Sequence, residues 1–415
     1  MTGYRKPLQG TFVAMLMCIA AVSHGADWPQ FLGPQRNGVS SETGLIDAFP
    51  AAGPKELWRI AGGVGMSACA IEGELGCTLI QDEKHQILLA FHPETGAILW
   101  RCPLAPAYTN SMGDGPRATP TISNGTIFAY TGEGILAAVQ ATDGQLLWTQ
   151  HPVRSHKGKP AEYGMACSPL VVKEQVIVTI GAPEATVASY DVKTGALNWK
   201  SGAGHSCGYS SPALLVVSET AQVVVFSGDA VLGIDPQEGS VQWEHAYVTD
   251  YNCNIAVPQS IHGDIFVSAG ENHGSTLLAV SPAGQVTARW ESQGMKSVLR
   301  NEWQTSVLLG GFLYGFDNVG SAGPVTHLTC IDAATGDVRW QQKRFGKGNL
   351  IAADGKLWIS TMDGELVLVA ARPDQFTELS RAQVIQTTRQ SPVIASGRLY
   401  LRDNAEIVCF DIRKP

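Results

Sequence analysis

Nowhere in this 415-residue chain do two cysteines stand side by side, and no C-x-x-C-H occurs, although nine cysteines are spread from Cys18 to Cys409. Covalently attached haem c is therefore excluded, and spacing this wide does not make a zinc cluster. Positive charge is also scarce. Lys and Arg total 29 against 37 Asp and Glu, a net charge of −8. That removes the basic footprint expected of a nucleic-acid binder. Long apolar runs are missing too: the charge-free run over residues 12–22 is about half of the roughly 20 residues that a membrane span requires. Few stretches carry a 3.6-residue apolar period, so helix is expected to be minor.

That short run sits behind Arg5 and Lys6 and ahead of Ser23-His24-Gly25-Ala26. A basic start, a short apolar stretch and small residues predict a cleaved signal peptide over residues 1–25. Cys18 follows Met15-Leu16-Met17 rather than small residues, so a lipid anchor is not expected. The expected product is a released periplasmic or secreted protein, not membrane-spanning. It carries 27 positive and 37 negative groups, a net −10. The eight remaining cysteines would face an oxidising compartment, and their number alone fixes no pairing.

Tryptophan is in register. Trp58, Trp100, Trp148, Trp199, Trp243, Trp290 and Trp340 follow one another at intervals of 42 to 51 residues, a period that marks repeated supersecondary units. The residues ahead of them agree: Asp191-Val192-Lys193-Thr194-Gly195 leads to Trp199, and Asp332-Ala333-Ala334-Thr335-Gly336 leads to Trp340. Within one period, residues 119–122, 126–130, 135–140 and 145–148 are short β-rich runs. They are separated by Asn124-Gly125, Gly132-Glu133-Gly134 and Asp143-Gly144, residues suited to hairpin turns with positive φ. Four antiparallel strands per period make one propeller blade. Counting periods predicts an all-β, eight-bladed β-propeller over residues 55–415, with a leader over 26–54. Six blades end at Trp100, Trp148, Trp199, Trp243, Trp290 and Trp340. The seventh, through residues 366–370 to about Leu379, has lost its tryptophan. The eighth has runs at 391–394, 398–401 and 407–411 and takes its fourth strand from residues 55–60 with Trp58. That closure would remove open sheet edges.

With its A-x-D-x-x-T-G-x-x-x-W mark, the chain resembles the PQQ (pyrroloquinoline quinone)-repeat, or quinoprotein alcohol dehydrogenase-like, propellers over nearly all of residues 26–415. The opening from Asp27-Trp28-Pro29-Gln30-Phe31 to Ser40 resembles the leader of short exported bacterial members, as does Gly346-Lys347-Gly348-Asn349 onward. Blade five departs, with Gly284 six residues before Trp290. The resemblance implies that each of the seven repeat tryptophans is a docking residue, packed on the neighbouring blade's glycine turn. It implies a fold, and function must come from the site.

In a propeller the connection from one blade's outer strand to the next blade's inner strand reaches the central channel, here over residues 101–118, 200–210 and 244–256. Inner strands open on similar tripeptides, such as Ala118-Thr119-Pro120, Cys167-Ser168-Pro169, Ser210-Ser211-Pro212 and Gln390-Ser391-Pro392. The residue before each is expected at the channel rim: Arg117, Ala166, Tyr209, Ile255, Gln304, Lys347 and Arg389. Three cations and no carboxylate in an acidic chain predict a locally positive mouth for an anionic or polar ligand. His205, Asn252 and Arg300 lie slightly further out. Asp114, Glu162 and Glu302 are the available counter-charges, and pairing with them on a solvated face is the competing reading. No catalytic residue and no metal ligand are assigned. His205 is a candidate base only if an acid orients it.

Two functions stay open. One is a non-catalytic binding or assembly scaffold, monomeric, with an envelope or extracellular protein partner and no cofactor. The other is a PQQ-dependent dehydrogenase. There Arg117, Lys347 and Arg389 would meet the cofactor's carboxylates, and Asn301 with Glu302 would meet a Ca²⁺. The quinoprotein enzymes it resembles are longer and carry an adjacent-cysteine pair that this chain lacks. A carbohydrate-binding or hydrolytic propeller finds no carboxylate pair of interpretable spacing.

Overall fold

The computed structural model describes Met1 and residues 26–294, 297–320 and 325–415; the expected signal peptide otherwise falls outside them. Eight four-stranded antiparallel sheets are built from strands between Lys55 and Asp411. Blade 2 consists of Thr121–Ser123, Thr126–Tyr130, Leu136–Gln140 and Leu146–Gln150. Its inner strand begins later than residue 119 because Pro120 has no N–H for the ladder. Blade 8 joins Val393–Ala395, Arg398–Arg402 and Glu406–Asp411 to Lys55–Ala61, with Trp58 opposite Cys409. Both ends of the described chain thus share one sheet. Among the described residues helix is minor, with one turn at Pro152–Ser155 and another at Asp250–Asn252. Among the described residues no helix is long and apolar enough to cross a membrane, and all eight cysteines are unpaired.

Apolar side chains cover both faces of each blade, so the core lies between neighbouring blades. Phe128, Tyr130 and Leu136 of blade 2 meet Val176, Val178 and Ile180 of blade 3, and comparable clusters fill the other junctions. The indoles cap these clusters at their outer ends. Trp58 Nε1 donates to Pro93 O at 2.9 Å, Trp100 to Ala141 O at 3.1 Å and Trp148 to Val192 O at 3.1 Å. Trp290 and Trp340 do the same with Ala333 O and Arg372 O, but the turn beneath Trp340 has no glycine, and Phe376 packs on that ring instead, with centroids 5.7 Å apart. The turn that accepts Trp148 needs glycine twice over. Gly195 has φ +71°, and a Cβ there would lie 2.7 Å from the indole of Trp148. Blade 5 departs as its spacing foretells. Gly284 approaches the backbone of Gln242 instead of a ring. Trp243 turns its N–H to Gln222 of its own blade at 2.7 Å, while still packing with Ile265 and Leu278 of blade 5.

Blade 7 has no such tryptophan, and other groups hold its junction with blade 8. Trp358 is fully buried among Ile351, Val393 and Ile394. The leader also covers this side, with Phe49 N bonded to Ser380 Oγ at 2.9 Å and Ile46 N to Ile412 O at 2.8 Å.

The leader then explains the hub. It crosses the ends of the inner strands, pairing Trp28 with Ile71, Pro29 O with Ile122 N, and Val39 with Ala352. From there Arg36 enters the channel axis and donates to the carbonyls of Ser168, Pro169 and Pro212. Burial draws its pKa down to about 10, so the guanidinium stays charged at neutral pH.

The indole-on-glycine contact separates by comparing two turns. Gly125 also has positive φ (+75°), but nothing lies within 4 Å of a Cβ placed there. Gly125→Ala is expected to cost about 1 kcal/mol for the left-handed backbone. Gly195→Ala should cost about 1–3 kcal/mol more through the clash with the ring. Parallel thermal and denaturant unfolding checks this; equal losses would refute the packing role of Trp148.

Candidate functional site

Where the inner strands begin, the chain repeats one small device. The amide of Ala68 donates to Thr119 Oγ1 at 3.1 Å, that of Thr119 to Ser168 Oγ at 3.0 Å, and that of Ser168 to Ser211 Oγ at 2.9 Å. Val257 N repeats this with Thr305 Oγ1 at 3.0 Å. Each of these hydroxyls ties its blade to the one before it, which is why Ser and Thr recur at this level. Other groups complete the circle. Ser210 Oγ donates to Ala256 O, Asn349 Nδ2 to Arg389 O and Gln390 Nε2 to Gly65 O. Lys347 is ion-paired with Glu302 at 2.7 Å.

Extended backbone sends alternate side chains the same way, so residues two before this hydroxyl level also face the channel. They and their neighbours surround a cavity of about 410 Å³. Its rim carries Met66, Arg117, Tyr209, Ile255, Trp303 and Arg389, one from each of six blades, with Tyr163, Tyr251, Glu271 and Glu302 from the connecting loops. Ala68, Ser168, Ser211, Asn349 and Ser391 form the tier below, and Phe31 of the leader also lines the space. Because the leader crosses the opposite end, the channel is a blind well.

The rim is rich in rings. Tyr163 and Tyr209 stack with centroids 5.7 Å apart. Arg389 lies 5.4 Å and Lys347 Nζ 4.6 Å from the Trp303 ring centroid, and Arg117 lies 4.8 Å from that of Tyr108. Arg117 donates to Tyr163 O at 2.6 Å, to Gly113 O at 2.7 Å and to Gly115 O. Arg389 donates to Met112 O at 2.7 Å. Burial lowers the Arg117 pKa, and the nearby Arg389 charge lowers it further. Burial likewise raises the carboxyl pKa of Glu302, against the pull of Lys347.

The structure therefore brings Arg117, Tyr209 and Arg389 together on the wall, with Lys347 beside them through Trp303 and Glu302. The other four residues singled out from sequence lie elsewhere. Arg300 is buried against Asp317, 2.6 Å from Nε to Oδ1. His205 sits between Asp229 at 2.9 Å and Glu244 at 3.4 Å, outside the cavity lining. Asn252 accepts from Ser206 Oγ, while its neighbours Tyr251 and Cys253 line the well. Gln304 is buried, donating to Phe316 O at 3.2 Å. This last is a one-residue slip. Val257 N bonds Thr305, so Thr305 stands level with Thr119 and the rim position is Trp303. Blade 6 has no proline to mark the register, and a slip of one exchanges the two faces of a strand. Met66 of blade 1 follows the same rule, though no Ser-Pro or Thr-Pro flags it.

The two residues offered above as calcium donors are otherwise engaged. Asn301 is fully buried, donating to Phe316 O and accepting from Ser306 Oγ, and Glu302 faces Lys347. Among the described residues no cluster of three or more His, Cys, Asp or Glu is placed to hold a metal. Cys207 and Cys253 are pushed up to about 12 by burial, away from a reactive thiolate.

A PQQ-repeat family model, described as outer membrane protein assembly factor BamB, matches residues 84–342. The outer membrane protein assembly factor BamB of Moranella endobia (strain PCIT) is 25% identical over 224 residues, 53% of this chain and 54% of that protein. The dehydrogenase subunit of an alcohol dehydrogenase (quinone) from Gluconacetobacter polyoxogenes is 28% identical over 123 residues, covering 28% of this chain and 17% of the other. The match spans about half the length of the first relative and a smaller part of the second. Among solved structures, a europium-containing methanol dehydrogenase superposes with a TM-score of 0.68 at 13% identity, over 90% of this chain and 89% of its own. At that identity the likeness concerns the fold alone.

Glu302 gives a pH-dependent test. Its raised pKa means that the folded chain holds this proton more tightly than the unfolded chain. The linked stability is full below the unfolded pKa and lost as pH rises through the folded one. Lys347→Met removes the facing cation, so its deficit against wild type should be small at pH 4, below the ordinary carboxyl range. It should grow to about 1–3 kcal/mol at pH 8. Denaturant unfolding at the two pH values measures this, and a deficit independent of pH would refute the coupling.

Proposed function

The chain belongs to the PQQ-repeat family whose model is described as outer membrane protein assembly factor BamB, and from that membership we propose that it is a non-catalytic binding or assembly scaffold of the cell envelope, with the hub well as its binding site. The observation that carries the proposal is the well itself. It is a blind socket of about 410 Å³, within the range of ligand pockets. Aromatic and thioether side chains wall it, the residue types that anchor partners. Polar groups at the well are engaged within the protein, which supports the reading: Glu302 faces Lys347, and Arg117 bonds backbone carbonyls. His205, the candidate base, stands between two carboxylates away from the cavity. Two half-buried arginines on this wall also support a locally positive mouth for an anionic or polar group.

The rival reading, a PQQ-dependent dehydrogenase, draws on the matched segment of the quinone-dependent relative. It requires PQQ and calcium in the same well, where Asn301 bonds Phe316 O and Glu302 faces Lys347.

One experiment separates the two. A photo-crosslinking amino acid placed at Met112, which lines the well, is expected to trap an envelope protein. Tyr209→Ala and Trp303→Ala should cut the yield about tenfold, in line with the loss of a ring anchor. PQQ with Ca²⁺ should raise neither the melting temperature nor dye-linked alcohol oxidation. Turnover that disappears in Arg117→Ala and Arg389→Ala would overturn the scaffold reading.

A further inference from the structure

We infer that the rim of the well is built to hold a carboxylate carried on an apolar or aromatic body, between the guanidinium groups of Arg117 and Arg389. The inference rests on the reading of the well as the binding site and names what enters it.

Two like charges are gathered here on one loop. Arg117 bonds Gly113 O and Gly115 O, and Arg389 bonds Met112 O. Among the described residues neither guanidinium has a carboxylate within ion-pairing distance. The third cation of the rim behaves differently: Lys347 lies 2.7 Å from Glu302. Backbone carbonyls orient the two arginines without cancelling their charge, and partial burial strengthens their field.

The forks also keep free donors. A guanidinium has five N–H groups. Arg117 spends three on carbonyls and Arg389 one, so both retain N–H groups for an incoming anion. Each also lies over a ring, Arg117 4.8 Å from the Tyr108 centroid and Arg389 5.4 Å from that of Trp303. Glycine makes the room: at Gly164, φ +87°, a Cβ would lie 2.9 Å from Arg117 Nε and 2.9 Å from Tyr108 Oη. Such a fork suits a planar carboxylate better than a point charge.

The space below determines what carries the anion. The well is closed by the leader, so a chain cannot thread through it. Only a free end or a small molecule fits with its head at the rim. Beneath the arginines lie Ala68, Ser168 and Phe31, while Glu271 and Glu302 line the cavity at the rim, so the lower wall suits an apolar body. The source is then either the carboxyl end of a peptide with an apolar last residue or a free organic acid.

Trp303 supplies the readout, because it lines the well while most other indoles are sealed between blades. The probes are 3-phenylpropionate and 3-phenylpropionamide, with a hexapeptide ending in phenylalanine as free acid and as amide. The acids are expected to change Trp303 emission saturably and the amides to bind at least tenfold more weakly. Trp303→Phe should remove the optical signal. Arg117→Lys and Arg389→Lys, which keep charge but not the fork, should each weaken the acids at least tenfold with unchanged circular dichroism. Calorimetry provides the same comparison should Arg117→Lys alter the loop. A free-acid peptide binding at least tenfold tighter than phenylpropionate assigns the ligand to a chain end, and equal binding assigns it to a free acid. Acids and amides binding alike, no binding at millimolar concentration, or displacement by equimolar inorganic phosphate overturns the inference. If crosslinking still depends on Tyr209 and Trp303 in that event, the scaffold reading survives and only the ligand class falls.

Discussion

A ring of sheets loses its edges only if every junction is made at the same angle, including the one between the first strand and the last. At five of the eight junctions an indole seated on the next blade's glycine turn sets that angle at the outside, and a hydroxyl or amide reaching to the next blade sets it at the hub. The first contact needs a residue without a Cβ and with positive φ, as at Gly195 beneath Trp148. The second needs Ser or Thr at one level of the inner strand, as at Thr119, Ser168 and Thr305. Between these two anchors the junction is filled by aliphatic side chains whose identity matters less than their volume.

These constraints also place the site. Inner strands fixed at the hub by their second-tier hydroxyls leave their first-tier side chains pointing across the channel. The wall is therefore a by-product of closure, and each blade is free to contribute a different side chain to it. Arg117, Tyr209, Trp303 and Arg389 occupy equivalent positions in four blades. Variation at this tier costs the scaffold little, and binding residues gather where the scaffold is indifferent.

The fold was legible because its signals repeat. Tryptophan spacing, Asp-x-x-Thr-Gly turns and the orphan Trp58 led to eight blades and to a closing strand, and the irregular Gly284 marked the junction where Trp243 bonds within its own blade. The site was less legible because it depends on register at single residues. Where Ser-Pro or Thr-Pro punctuates the inner strand, as after Arg117, Tyr209 and Arg389, the rim could be read off. Blade 6 has no proline and the reading slipped from Trp303 to Gln304. Arg300, His205 and Asn252 were drawn in by loop position, and the structure uses the first two for ion pairs with Asp317 and Asp229. Nothing local in the leader announces that Arg36 bonds three inner-strand carbonyls; that contact spans more than 130 positions.

The strand Lys55–Ala61 has a consequence in time as well as in space. Lys55 and Asp411 are 356 positions apart, so the sheet that seals the ring is the one with the greatest loop-closure cost. Local hairpins within blades form quickly, whereas pairing of such distant segments is slow. Arg402, fully buried and bonded to carbonyls of Ser67, Leu79 and Gly63 in blade 1, belongs to that same late event. Until it happens, the nascent molecule is an open arc with two unpaired borders, exposed to association with its own copies. A single sheet therefore decides whether the ring has borders at all.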